Sequence, residues 1–167
     1  MRDKRFIAVH RGGSLTKENH HKLILWAREC AEHVLWLIEE GPDPRLLHAL
    51  QIAYAWEQDR ATTGEAMKAS LGAHAAAREY SNPVSVAVSR SVGQTVATAH
   101  MADHSMGGAL YALKAIKLAG KSMDDEYAWQ KGKLEELPTV IVELVLTSMA
   151  GKTKGFSIFD KTFRKNK

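Results

Sequence analysis

Residues 82–97 read NPVSVAVSRSVGQTVA, and this valine-rich stretch decides the fold class of the chain. Valine favours strands, but from Val84 to Val96 there is a valine at every fourth position, which places these side chains along one stripe of a helix. A strand would also need a polar residue at every second position and a turn nearby. Asn82 followed by Pro83 suits a helix start, with a capping side chain and a first-turn proline. The stretch predicts a helix and, with it, an all-α protein.

The sequence before this stretch predicts three helices. The first is long and is marked by apolar residues at three- and four-residue spacing: Leu23, Trp26, Ala27, Cys30, Val34, Leu37 and Ile38. Residues 41–44 (GPDP) end it and open a second helix with this apolar face: Leu46, Ala49, Leu50, Ala53 and Trp56. Thr62 and Glu65 have the spacing of a capping box at the start of a third helix. Small side chains form its face and predict close packing at the centre of the bundle: Ala66, Ala69, Ser70, Ala73 and Ala77.

The sequence after the valine stretch predicts three more helices. One stops near Gly120 and carries this apolar face: Met106, Ala109, Leu110, Leu113 and Ile116. A shorter one runs from Asp124 to about Leu134. Pro138 opens the last, whose inward residues are Ile141, Leu144, Val145 and Ser148. We therefore expect one all-α domain over residues 1–151, a bundle of six to seven helices with short connections, and a mobile basic tail over residues 152–167.

Composition points to a globular cytoplasmic protein. The chain is 45% hydrophobic and 25% charged, which is ordinary for a folded domain and excludes disordered and fibrous classes. Its single cysteine, Cys30, cannot form an internal disulfide, so we expect a reducing compartment. The apolar residues 6–9 are too few for a signal peptide, and no apolar stretch reaches the roughly 20 residues of a membrane span. The sequence therefore predicts no membrane association.

The basic charge of the chain lies at its two ends. Residues 1–17 hold five Lys or Arg against Asp3, and residues 152–167 hold six against Asp160, so the ends carry +4 and +5. Since the whole chain carries +4, residues 18–151 carry −5. No basic patch with interleaved aromatic residues accompanies this charge, so we do not expect nucleic acid binding. The body of the protein is acidic.

Residues 100–104 (HMADH) are the first candidate site. On a continuous helix, His100, Asp103 and His104 face the same way and could converge on a metal or ligand, with His74 as a further contributor. The alternative is a helix junction, in which Asp103 caps a helix that starts at His104. The glycine pair at residues 107–108 also suggests a break or close packing there. The general-base glutamate of zinc proteases is absent between the two histidines.

Residues 10–13 (HRGG) are the second candidate site. The two glycines free the backbone to present N–H groups to an anion, and Arg11 could add a bidentate contact. The alternative is a turn that leads to a helix cap at Ser14 or Thr16. Cys30 lies on an apolar stripe as an inert thiol, and no nucleophile or cofactor motif is found. We expect a binding protein rather than an enzyme, without a cofactor, and its four tryptophans are predicted as core anchors: Trp26, Trp36, Trp56 and Trp129.

Several motifs resemble those of one family. They are HRGG at residues 10–13, WA at 26–27 with CAE at 30–32, AYAW at 53–56, AHAAAR at 73–78, ATAHMADH at 97–104 and YALKA at 111–115. Together they resemble the immunity proteins that accompany bacterial polymorphic toxin systems, from about residue 5 to residue 148. The chain departs from that pattern at Trp36, where relatives often place a proline, and in the tail after Gly151.

The resemblance implies an all-helical cytosolic protein that neutralises a cognate toxin by binding it. The acidic body would complement a basic, nuclease-like toxin. Two alternatives follow from the residues themselves. The first is a helical metal- or ligand-binding protein or enzyme that uses this set: Arg11, His74, His100, Asp103 and His104. The second is a homodimer formed through small-residue helix faces.

Overall fold

The computed structural model describes residues 3–152. These contain seven α-helices: α1 (Lys17–His33), α2 (Pro44–Glu57), α3 (Thr63–Glu79), α4 (Pro83–Ala97), α5 (His104–Leu118), α6 (Met123–Glu135) and α7 (Thr139–Lys152). Within this range the backbone forms no β-strand, only an isolated bridge between Ala8 and Leu15. The prediction of an all-α domain with six to seven helices is confirmed. The tail predicted over residues 152–167 lies outside the described residues, apart from Lys152.

Helix α4 lies at the centre of the bundle. It packs against α1, α2, α3 and α5, whereas α3 packs mainly against α2 and α4. The prediction that the third helix is central is therefore wrong. Its small residues are buried on one face only, while Met67 and Leu71 stay exposed on the other. In α4, Val88, Val92 and Val96 are buried together with most of the small residues between them.

Small residues and buried hydroxyls join the central helices. Small side chains let the helix axes approach closely. The short distance leaves room for a serine or threonine hydroxyl as a hydrogen-bond donor but not for a bulky side chain. Three such hydroxyls donate to backbone carbonyls of the neighbouring helix: Ser70 to Gly93 (2.9 Å), Ser91 to Gly108 (2.7 Å) and Thr95 to Ala27 (3.1 Å). These small-residue faces are therefore buried inside the bundle and are not available for a dimer interface. The homodimer stays a prediction.

The predicted helix starts are confirmed by their caps. The Glu65 N–H donates to Thr62 Oγ1 at 3.1 Å, and the Thr62 N–H donates back to Glu65 Oε2 at 2.7 Å, which completes the capping box. Asn82 Oδ1 accepts from the Val84 N–H at 2.9 Å, one residue after the first-turn proline. Both signals are local, because a cap involves residues only two or three positions apart.

The first helix is shorter than predicted. It ends at His33, and a 3-10 turn follows at Leu35–Leu37, so Val34, Leu37 and Ile38 lie beyond α1 although all three are buried. The carbonyl oxygen of His33 accepts the indole N–H of Trp36 at 3.0 Å. This contact satisfies one of the free carbonyls at the helix end without continuing the helix. Among residues 3–152, no helix is long and apolar enough to cross a bilayer.

Candidate functional site

A cleft of about 700 Å³ opens where four parts of the chain meet. Its walls are the N-terminal residues 6–11, the start of α1, the end of α2 with the start of α3, and the connection between α4 and α5. Of the five site residues predicted from sequence, the structure brings Arg11 and His100 to this cleft. They share it with Lys17, His20 and Trp56.

The N-terminal wall is a self-contained turn. The Gly12 N–H donates to the Val9 carbonyl at 3.0 Å and the Gly13 N–H to the Ala8 carbonyl at 3.2 Å. These two N–H groups are therefore already bonded, and the idea that they present themselves to an anion is wrong. Gly12 has a left-handed φ of 85°, which favours glycine. The alternative of a turn and cap is confirmed, since Thr16 Oγ1 accepts the Asn19 N–H at 3.2 Å.

His20 and Trp56 form the aromatic part of the cleft. The His20 Nε2 atom donates to the Thr98 carbonyl oxygen at 2.6 Å. Burial lowers the pKa of His20, with the nearby positive charges of His10 and Arg11 acting in the same direction. Its ring meets the Trp56 ring edge-on, with 4.7 Å between centroids. At neutral pH, His20 is therefore an uncharged side chain held against an indole.

Lys17 pairs with Asp59 at the rim of the cleft. The Lys17 Nζ atom lies 2.7 Å from Asp59 Oδ1, and this hydrogen bond lowers the pKa of Asp59. Asp59 is the carboxylate among the residues that line the cleft. Because Lys17 offsets it, the guanidinium of Arg11 carries the remaining full charge of the lining at neutral pH.

The remaining predicted site residues lie elsewhere. His74 accepts a hydrogen bond from Arg90 at 2.8 Å through Nδ1, and burial, followed by the Arg90 charge, lowers its pKa. His104 Nδ1 lies 2.6 Å from the Gln94 side-chain oxygen. Asp103 occupies the N-cap position of α5, although its side chain does not cap the first turn.

The candidate metal-binding arrangement at residues 100–104 does not form among the described residues. It required one continuous helix, but α4 ends at Ala97 and α5 begins at His104, so the i, i+3, i+4 geometry is lost. Over residues 3–152, no group of three or more His, Cys, Asp or Glu side chains is placed to hold a metal ion. The alternative interpretation, a helix that begins at His104, is confirmed.

An exposed tryptophan marks a second surface, at the turn after α1. Trp36 is 62% exposed, so its prediction as a core anchor is wrong. Its indole N–H is bonded to His33, and the Lys121 Nζ atom lies 5.1 Å from the centroid of its ring. Since α1 ends at His33, the indole N–H of Trp36 caps a carbonyl of the last helical turn while the ring stays on the surface. The sequence signal that could have found it is the departure from the family pattern at position 36.

Exposed carboxylates lie close in sequence to this tryptophan and to Lys121, which contacts it. Two exposed ones follow it within four residues, and two more follow Lys121 within four. We call this set the Trp36 face: Trp36, Glu39, Glu40, Lys121, Asp124 and Asp125. Beneath it, the His33 ring stacks on Trp129 with 3.5 Å between centroids, and His33 Nδ1 lies 2.8 Å from Glu126 Oε1. These contacts support the backbone beneath Trp36.

Comparison with known protein families gives one match. The family model described as "Imm-5 like putative immunity protein" matches residues 13–137. The chain belongs to this Imm-5-like immunity family. A search of curated proteins and a search of solved structures found no match.

The Imm-5-like match covers all of the Trp36 face but only part of the cleft. Residues 13–137 run from the turn before α1 to the end of α6, and they include the whole Trp36 face. The cleft wall formed by residues 6–11 lies before the matched range. The resemblance drawn from sequence motifs is confirmed as to the family.

Proposed function

We propose that this chain is a cytoplasmic immunity protein that neutralises a cognate bacterial toxin by binding it directly through the Trp36 face. The observation that carries the proposal is an indole that is 62% exposed yet held by a hydrogen bond to the helix end. Tryptophan is enriched among the residues that dominate interface energies. Membership of an immunity family supplies the class of partner.

The fixed position of the indole favours tight binding. An interface side chain that must be ordered on association loses rotamer entropy, which subtracts from affinity. Trp36 is already bonded to His33 and contacted by Lys121, so little of this loss remains. Its large ring surface is then available for burial in an apolar pocket on the toxin.

The surrounding charge favours a basic partner. The Trp36 face carries four carboxylates against one lysine. Such a field attracts a positively charged surface and speeds association at low salt. A nuclease-like toxin has this chemistry, because a protein that binds the phosphate backbone presents clustered Lys and Arg. On this proposal, the immunity protein covers the same basic surface that the toxin uses for its substrate.

The test uses the toxin encoded beside this gene. Co-expression of the intact chain with that toxin is expected to restore growth, and the purified pair should form a stable complex. Trp36→Ala should weaken the complex about 30-fold, the value for a hot-spot loss of about 2 kcal/mol. Leu71→Ala is the matched control, because Leu71 is 71% exposed on α3 and should leave affinity unchanged. Rescue without complex formation, or equal effects of both variants, would contradict the proposal.

A further inference from the structure

We propose that the cleft beside Arg11 and Trp56 binds a small organic anion, a flat ring that carries a phosphate or carboxylate group. This site is separate from the Trp36 face and shares no residue with it. The inference is therefore independent of the proposed toxin binding, and the two can fail separately. The argument rests on the size of the cleft, its aromatic wall and the charge of its lining.

The size of the cleft suits a small molecule. Its volume of about 700 Å³ falls in the range of sites that bury most of a small ligand, roughly 300–1,000 Å³. Apolar side chains line much of it, including Phe6, Leu15 and Met101. An apolar concave surface with a few polar groups is the usual form of a ligand site.

Trp56 provides a rigid aromatic wall. The rings of His20 and His21 meet it edge-on, with 4.7 and 4.9 Å between centroids, and its indole N–H reaches Thr63 Oγ1 at 3.4 Å. These three contacts hold the half-buried ring in one orientation. A preordered indole favours a flat ligand, because stacking then requires no further ordering of the side chain.

The charge of the lining favours an anion. Asp59 is matched by Lys17 at 2.7 Å, whereas Arg11 forms no ion pair or hydrogen bond through its guanidinium within residues 3–152. The planar guanidinium can donate two parallel hydrogen bonds to a phosphate or carboxylate, whereas a lysine ammonium acts as a point charge. Two imidazoles of the lining, His10 and His100, can add donors.

The start of helix α1 adds to this positive character. Helices α1 and α3 both begin at the cleft, where Thr16 and Thr62, their N-cap residues, form part of its lining. The N-terminus of a helix carries a partial positive charge that stabilises nearby anions. At α3 the Glu65 carboxylate already accepts the Thr62 N–H, so the start of α1 and Arg11 supply the positive character of a cavity whose lining carboxylate is paired.

The experiment measures binding of three probes to the full chain by isothermal titration calorimetry. The probe 1-naphthyl phosphate combines ring and anion, 1-naphthol supplies the ring alone, and inorganic phosphate supplies the anion alone. We expect saturable one-to-one binding of 1-naphthyl phosphate, at least tenfold tighter than that of either fragment. Raising the salt concentration should weaken it, since Arg11 lies at the exposed rim.

Two variants locate the site. Arg11→Gln removes the charge at an exposed position, so the fold is retained, and it should weaken binding at least tenfold. Arg78→Gln is the matched control, because Arg78 is exposed on α3 and lies outside the cleft lining. Trp56→Leu should abolish the advantage of 1-naphthyl phosphate over inorganic phosphate. An absence of saturable binding at millimolar probe, or equal weakening by Arg11→Gln and Arg78→Gln, would overturn the inference.

Discussion

The imidazole of His74 occupies the space that a side chain at position 93 would need. A Cβ atom built on Gly93 would lie 2.6 Å from Cε1 of His74. The ring cannot easily move away, because it is half-buried and bonded to Arg90 at 2.8 Å. Gly93→Ala is therefore expected to destabilise the protein by about 1–3 kcal/mol, the usual range for overpacking. Urea unfolding followed by circular dichroism measures this change.

Two further variants separate overpacking from the helix preference of alanine. Gly132 lies inside α6 with open space around its Cβ position, so Gly132→Ala should stabilise the protein by about 0.5–1 kcal/mol. The double variant His74→Ala/Gly93→Ala should be more stable than the sum of the two single effects, because the clash is then removed. Additive single effects would contradict the packing explanation.

Local sequence signals predicted most of the fold. The capping box at Thr62 and the cap at Asn82 depend on residues two or three positions apart, so a sequence pattern contains all the information. The length of α1 was not predictable in this way. Val34 and Leu37 continue the apolar spacing after the helix has ended, since a 3-10 turn can bury the same side chains.

The candidate sites were harder to predict because they depend on distant segments. The cleft joins residues 6–11, Trp56 and residues 99–102, and no local spacing relates these parts. Arg11 and His100 were identified by type, but the sequence assigned them to different sites. The candidate metal arrangement required helical continuity between His100 and His104, which the junction after α4 breaks.

Acidification is expected to destabilise the protein near pH 6.5. Burial lowers the folded-state pKa of His20, His21 and His74 from the ordinary value of 6.5. Below pH 6.5 the unfolded chain therefore binds more protons than the folded chain, so stability is fully present above that pH and falls as the pH approaches the folded values. Denaturant unfolding at several pH values between about 7.5 and 6 measures the slope. The raised-pKa carboxyl groups of Glu29 and Glu57 act in the opposite direction at lower pH.

His74→Gln should reduce this slope, because it removes one of the three imidazoles that resist protonation. His48→Gln is the control. His48 is exposed on α2, and the slope of this variant is compared with that of His74→Gln. An equal slope in the wild type and His74→Gln would show that His74 does not contribute to the pH dependence.

The two parts of the Trp36 face should affect different rate constants for toxin binding. Glu39→Gln/Glu40→Gln removes charge at the rim, so the association rate and its salt dependence should fall. Trp36→Ala removes buried contact area, so the dissociation rate should rise while association changes little. Surface plasmon resonance at two salt concentrations distinguishes these effects. A change confined to dissociation in both variants would contradict the steering role of the carboxylates.

Arg28 and Glu57 form a buried ion pair between α1 and α2. Arg28 Nε lies 2.8 Å from Glu57 Oε2, with side-chain exposures of 14% and 5%. Arg28→Leu leaves the Glu57 carboxylate without its partner, so we expect a loss of about 3 kcal/mol. Glu57→Gln in that background should recover part of this loss, since it removes the uncompensated charge. Lys131→Leu is the control, because its pair with Glu135 is exposed and contributes less than about 0.5 kcal/mol.

Cys30 gives an independent measure of opening in the folded state. Its side chain is fully buried in α1, and burial raises the thiol pKa well above its ordinary value, with the charges of Glu126 and Glu29 acting in the same direction. A disulfide reagent such as Ellman's reagent should therefore react only when the bundle opens, because the thiolate is the reactive form. Under conditions of fast reclosing, the rate follows the population of the open state. A loss of about 3 kcal/mol in Arg28→Leu should then speed labelling more than a hundredfold. Rapid labelling of the wild-type protein without denaturant would show that the thiol is reached by a smaller local motion.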